Sequence, residues 1–157
     1  MKSNGLRIAI VIGRFNEEIS MRLLEGARSR LEDLGVATTD INVFWVPGAF
    51  EIPFACQEII RKTSVDAVIT LGAVIQGGTP HFDFVAGECI RGIQKVSLST
   101  GTPIALGVLT TDTYEQALER SDTSYVDHDG STGVKGSSAA EAAVAMAELS
   151  QSLNTQN

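Results

Sequence analysis

Four short, uninterrupted apolar runs punctuate the chain: "LRIAIVI" (Leu6–Ile12), "INVFWV" (Ile41–Val46), "DAVITLG" (Asp66–Gly72) and "PIALGVL" (Pro103–Leu109). Runs that are continuous rather than alternating predict parallel strands covered on both faces. Between them the period changes. Ile19, Leu23, Ala27, Leu31 and Leu34 recur at helical spacing, with Asn16 as N-cap and Gly35 as stop. A second helix is expected from about Pro53 to Lys62. A third begins at Pro80, capped by Thr79, and reaches about Thr100; a short fourth follows Asp112. An alanine-rich last helix is expected over Ser137–Gln151. Strand followed by helix, four times over, predicts right-handed βαβ units on one four-stranded parallel sheet flanked by helices. That is a single three-layer α/β/α domain covering 1–157. The polar segment "SDTSYVDHDGSTGVKGSS" interrupts the rhythm; it is too long for an ordinary helix–helix turn and reads as a solvated loop.

Bulk properties narrow the function classes. With 157 residues, 43% hydrophobic and 20% charged, the chain has the makings of a soluble globular protein with a sizeable core. A net charge of -7 argues against non-specific nucleic-acid binding, yet a local cationic pocket for a small anion remains compatible with it. No apolar run reaches membrane length, and "MKSNGL" is too short and polar for a signal peptide. Cys56 and Cys89 lie far apart in apolar helical patterns and form neither a disulfide framework nor a CxxC pair. A reducing, cytoplasmic setting is expected.

Ligands of open parallel sheets bind beyond the carboxyl ends of the strands, so the residues that follow each run are the candidates. After the third run, the amides of Gly77, Gly78 and Thr79 stand near a helix N-terminus. They either cradle an anion or make a plain tight turn; neither a Walker A loop nor GxGxxG is present. His81 falls in the first helical turn, where the dipole disfavours the cation. A neutral imidazole beside an anion suits proton transfer, with Asp83 as an orienting acceptor; the alternative is a histidine that caps or packs. Phe15, between Arg14 and Asn16, either stacks on a planar ligand or folds back into the core. Glu51, after "PGAF", either receives ligand hydroxyls or favours a helix N-terminus, and Arg120 either reaches a phosphate or complements a helix C-terminus. No metal site is read: the two histidines are far apart, and Asp127-His128-Asp129 is taken as loop.

Five segments, "GRFNEEI", "VPGAFEIP", "GAVIQGGTPHFDFV", "GVLTTDTYEQALER" and "KGSSAAEAAVAM", resemble the lumazine synthase family in order and spacing, from about Leu6 to Leu149. The resemblance implies a flavodoxin-like fold and the penultimate step of riboflavin biosynthesis. There, 5-amino-6-ribitylaminouracil condenses with 3,4-dihydroxy-2-butanone 4-phosphate to give 6,7-dimethyl-8-ribityllumazine, phosphate and water, with no metal or organic cofactor. It implies that Phe15 stacks on the pyrimidine, that Ala49 and Glu51 hold the ribityl chain, and that Ala73, Val74 and Ile75 line the pocket. Gly78 and Thr79 would offer amides to the phosphate, Arg120 would pair with it, and His81 would transfer the proton.

Three departures from the family pattern stand out. Gln76 replaces a frequent arginine, and Leu106 replaces a frequent phenylalanine that a neighbouring subunit lays over the ring. The segment after Arg120 is longer, and Ser124 stands where a lysine is common, with Lys135 as a substitute. The family also implies a homopentamer with sites between subunits, and riboflavin synthase as an associated partner; the longer segment points to free pentamers rather than shells. An archaeal-type riboflavin synthase and a non-catalytic flavin-binding or shell protein share the fold and are the alternatives.

Overall fold

The computed structural model describes residues 5–122, 124 and 135–156. The Asp127–Asp129 run and most of the polar segment around it lie outside them. β1 (Ile8–Gly13), β2 (Ile41–Val46), β3 (Ala67–Ile75) and β4 (Ile104–Thr111) form one parallel sheet in the order β2-β1-β3-β4. Five helices cover it: α1 (Glu17–Asp33), α2 (Ile52–Lys62), α3 (His81–Thr100), α4 (Tyr114–Ser121) and α5 (Lys135–Thr155). The result is the expected three-layer α/β/α domain.

Side chains alternate along each strand, so two cores form, one on either face. Ile8, Ile10 and Ile12 of β1 join Leu23, Ala27 and Leu31 of α1 and Ala139, Ala140 and Ala143 of α5. Ala9 and Val11 face the other way, toward Cys56 and Ile59 of α2 and Cys89, Ile93 and Val96 of α3. Both cysteines are free, and burial pushes the Cys56 thiol up to about 12 and the Cys89 thiol to about 11. The small residues have a packing reason. A Cβ at Gly136 would lie 2.2 Å from the Leu23 carbonyl oxygen, so α5 sits directly on the backbone of α1.

Several sequence expectations need correction. β3 runs on past Gly72 through Ala73, Val74 and Ile75, because these residues pair with an equally extended β4 (Ala73↔Leu109, Val74↔Thr110, Ile75↔Thr111). β2 is not covered on both faces; as an edge strand it is buried only at Ile41. Asn16 does precede α1, but its side chain makes no capping bond; it takes the left-handed conformation (φ 63°) and turns its amide toward the Ala73 carbonyl at 3.5 Å. α3 begins at His81 rather than Pro80, with the Thr79 hydroxyl accepting from the His81 N–H at 3.4 Å. α5 is longer at both ends than expected. Gly35 does stop α1, at φ +94°: its N–H donates to Glu32 and that of Val36 to Leu31, the double bond of a Schellman motif.

Candidate active site

The first two strand ends set the near wall of a pocket at the carboxyl edge of the sheet. Past β1 the ladder continues, Arg14 N–H donating to Val46 O (2.8 Å) and Phe15 N–H to Pro47 O (3.1 Å). This draws Phe15 beside the end of β2. Arg14 itself turns away, stacked over Trp45 at 4.7 Å and paired with Glu17 at 2.8 Å. After β2, Gly48 leads into a 3₁₀ turn, Ala49–Glu51, and α2 begins with a proline in its first turn. Glu51 is thereby held at a helix entrance, facing the glycine before it: a Cβ on Gly48 would lie 3.5 Å from Glu51 Oε1.

The opposite wall comes from β3 and α3. Gln76 N–H donates to Thr111 O at 2.9 Å and closes the β3–β4 ladder; the chain then turns through Gly77–Pro80 into α3. His81 sits in the first turn and is exposed. Asp83 does not orient it: no bond joins the two side chains, and the Asp83 N–H donates to Pro80 O. Past β4, a capping box fixes the start of α4, Gln116 N–H donating to Thr113 Oγ1 (3.1 Å) while Gln116 Oε1 accepts from Thr113 N–H (3.2 Å). Tyr114 follows at once and donates to Glu18 Oε2 at 2.8 Å, a bond that raises the phenol pKa.

Together these segments enclose a pocket of about 830 Å³, the size of a small-molecule site. Of the residues singled out in the sequence, Phe15, Ala49, Glu51, Ala73, Val74, Ile75, Thr79 and His81 line it, as does Gly77. Gly78 lies in the same turn but not on the lining. Leu106, Arg120 and Lys135 are not brought there. Leu106 packs half-buried against the α2–α3 core, and Arg120 donates to the Gln116 carbonyl at 3.3 Å. Lys135 opens α5, and Ser124 hydrogen-bonds to Asp122.

Asn16, Gly48 and Phe50 fall in the strand-end stretches without having been given a ligand role; Phe82, Phe84, Val85, Glu88 and Tyr114 were missed by sequence reading. Phe84, Val85 and Glu88 repeat at three, four and seven residues from His81, so helical periodicity carried that signal. Exposure marks the aromatics too: Phe15, Phe50 and Phe84 are 65%, 62% and 69% exposed, which leaves apolar rings free to meet a ligand. Among the described residues no three His, Cys, Asp or Glu side chains gather as a metal site, and no helix is long and apolar enough to cross a membrane. A family model described as 6,7-dimethyl-8-ribityllumazine synthase matches residues 5–151 of the chain.

Proposed function

The chain belongs to the 6,7-dimethyl-8-ribityllumazine synthase family, and we propose that it catalyses that condensation, joining ribitylaminouracil to dihydroxybutanone phosphate late in riboflavin biosynthesis. One observation carries the reading. A single pocket gathers an exposed ring (Phe15), a carboxylate (Glu51), and an imidazole at the N-terminus of a long helix (His81), from three different turns of the chain.

On this reading Phe15 stacks on the pyrimidine, and Ala49 and Glu51 take the ribityl chain. The backbone edge at Ala73–Ile75, past the last β1 partner of β3 (Ile12↔Leu71), offers hydrogen bonds to the ring. The phosphate lies on the amides of Gly78 and Thr79, where the α3 dipole favours an anion. His81 moves the proton as the amine attacks the ketone, and again as phosphate leaves and the ring closes. Holding two substrates together supplies most of the acceleration, and proton transfer adds about 10²–10⁴-fold.

Leu106 and Arg120 enter the same account through a second copy of the chain. Both lie outside the pocket of their own subunit, which fits a homopentamer whose sites are shared between neighbours. Lys135 is a further cation for the phosphate on the same terms. The two free thiols favour the cytoplasm as the setting. The test is a fluorescence assay for lumazine with both substrates present. Lumazine formation supports the reading, and none from active-site-saturating substrates overturns it. Riboflavin formed from lumazine alone would assign the chain to the archaeal-type riboflavin synthase activity instead.

A further inference from the structure

The corner of the pocket between α1 and α4 has a chemistry of its own. Tyr114 lines the pocket there, and the capping box of α4 sets its position. A phenol has one proton to give, and this one is committed to Glu18 Oε2 at 2.8 Å. What remains toward the pocket is an oxygen that can only accept. Behind it stands a carboxylate whose other oxygen meets Arg22 at 3.5 Å, too long for a strong pair, and Glu115 follows Tyr114 in the chain. The other carboxylates of the lining stand apart from this corner: Glu51 at the entrance to α2, and Glu88 two turns into α3, where Arg91 lies 3.6 Å away. Helices α1, α3 and α4 all begin at the cavity, but the first turns of α1 and α4 carry Glu17, Glu18 and Glu115, whereas that of α3 carries Asp83 alone and follows the open Gly77–Gly78 turn.

We propose that Tyr114, tethered by Glu18, is a specificity-determining residue: it accepts a hydrogen bond from a hydroxyl or N–H donor of the ribitylaminouracil and keeps the phosphate-bearing substrate away from this corner. The inference rests on the reaction proposed above. It adds a division of the pocket into a donor-seeking side, at α1 and α4, and an anion-seeking side, at the start of α3.

Calorimetric binding of two separate probes, ribitylaminouracil and inorganic phosphate, tests it on the wild type, Tyr114→Phe and Glu18→Gln. Tyr114→Phe keeps the ring and is expected to weaken ribitylaminouracil roughly 3- to 10-fold, the worth of one neutral hydrogen bond, while phosphate affinity stays unchanged. A structural disturbance would weaken both probes together, so parallel losses overturn the proposal, as does no change in either. Glu18→Gln preserves an acceptor for the phenol and removes the charge; phosphate affinity is expected to rise, and no rise overturns the exclusion of phosphate. If the wild type binds no ribitylaminouracil, the proposed reaction falls together with this inference. If it binds the compound and Tyr114→Phe leaves that affinity intact, this inference alone falls.

Discussion

Replacing Gly78 by alanine separates what the fold requires of the Gly77–Gly78 turn from what a ligand requires of it. A Cβ built at either glycine meets nothing within 4 Å, and neither residue has a positive φ. The native structure therefore imposes no steric charge on the substitution, and the unfolded chain loses freedom. Stability is expected to rise by about 0.4–1 kcal/mol, or by ~1–4 °C in Tm for a chain of this size. The cost falls on binding. A methyl on the turn crowds an anion seated on its amides, and losing one hydrogen bond to a charged group is worth about 1.5–3 kcal/mol. KM for the butanone phosphate should therefore rise roughly 10- to 150-fold, with KM for ribitylaminouracil unchanged. The assay is steady-state lumazine formation, varying each substrate in turn, alongside a thermal melt. An unaltered KM for the butanone phosphate would refute the cradle. A Tm lower by several degrees would refute the structural half, because the glycine would then be serving the fold.

Gly136→Ala should do the opposite, since its Cβ would press on backbone atoms of Leu23 and Ala27 at 2.2–3.2 Å; a loss of about 1–3 kcal/mol is expected by thermal or urea unfolding, and an unchanged midpoint would contradict the α1–α5 contact. His81→Ala should lower kcat by ~10²–10⁴-fold and leave measurable turnover; total loss in a well-folded variant would contradict the view that holding the substrates together supplies most of the rate. The buried thiols predict an alkaline weakness. Their folded values lie near 12 and 11, against 9.0 for a free thiol, so the unfolded state releases these protons first. Their share of stability is thus whole below ~pH 9 and declines above it, by up to about 1.4 kcal/mol per pH unit for each thiol. Urea midpoints compared between ~pH 8 and ~pH 10.5 should fall less in a Cys56→Ala, Cys89→Ala variant than in wild type; equal falls would refute the attribution. Sedimentation should give a pentamer, and a shell-sized particle would overturn that assignment.

The strands and helices were legible because burial on both faces of a parallel sheet leaves long apolar runs, and "IAIVI" and "AVITL" cannot be mistaken for amphipathic surface. Their ends were less so. Ala73, Val74 and Ile75 are as apolar as the strand before them, but Gly72 invites a stop, and only pairing with Leu109, Thr110 and Thr111 decides the matter. The same limit applies to the pocket. Phe15, Glu51 and His81 follow strand ends and are found by topology alone. Tyr114 enters because α4 lies beside α1, a tertiary fact with no trace in local pattern. Arg120 was open to two readings, phosphate ligand or complement to a helix end, and in its own chain it lies outside the pocket, at the end of α4, with its guanidinium on the Gln116 carbonyl.

The place of β1 in the middle of the sheet has a consequence for how the chain acquires its shape. Ile8 meets Ile41 on one side and Ala67 on the other, so the strand made first is completed by partners made later. During synthesis the Phe15 side of the pocket must wait for β2, and the His81 side for β3 and the helix after it. Pairings this distant in sequence close slowly, and until they do the strand exposes both apolar faces. A chain halted before β3 would hold half a binding pocket and an open strand edge, and it would be lost to aggregation before it was lost to catalysis.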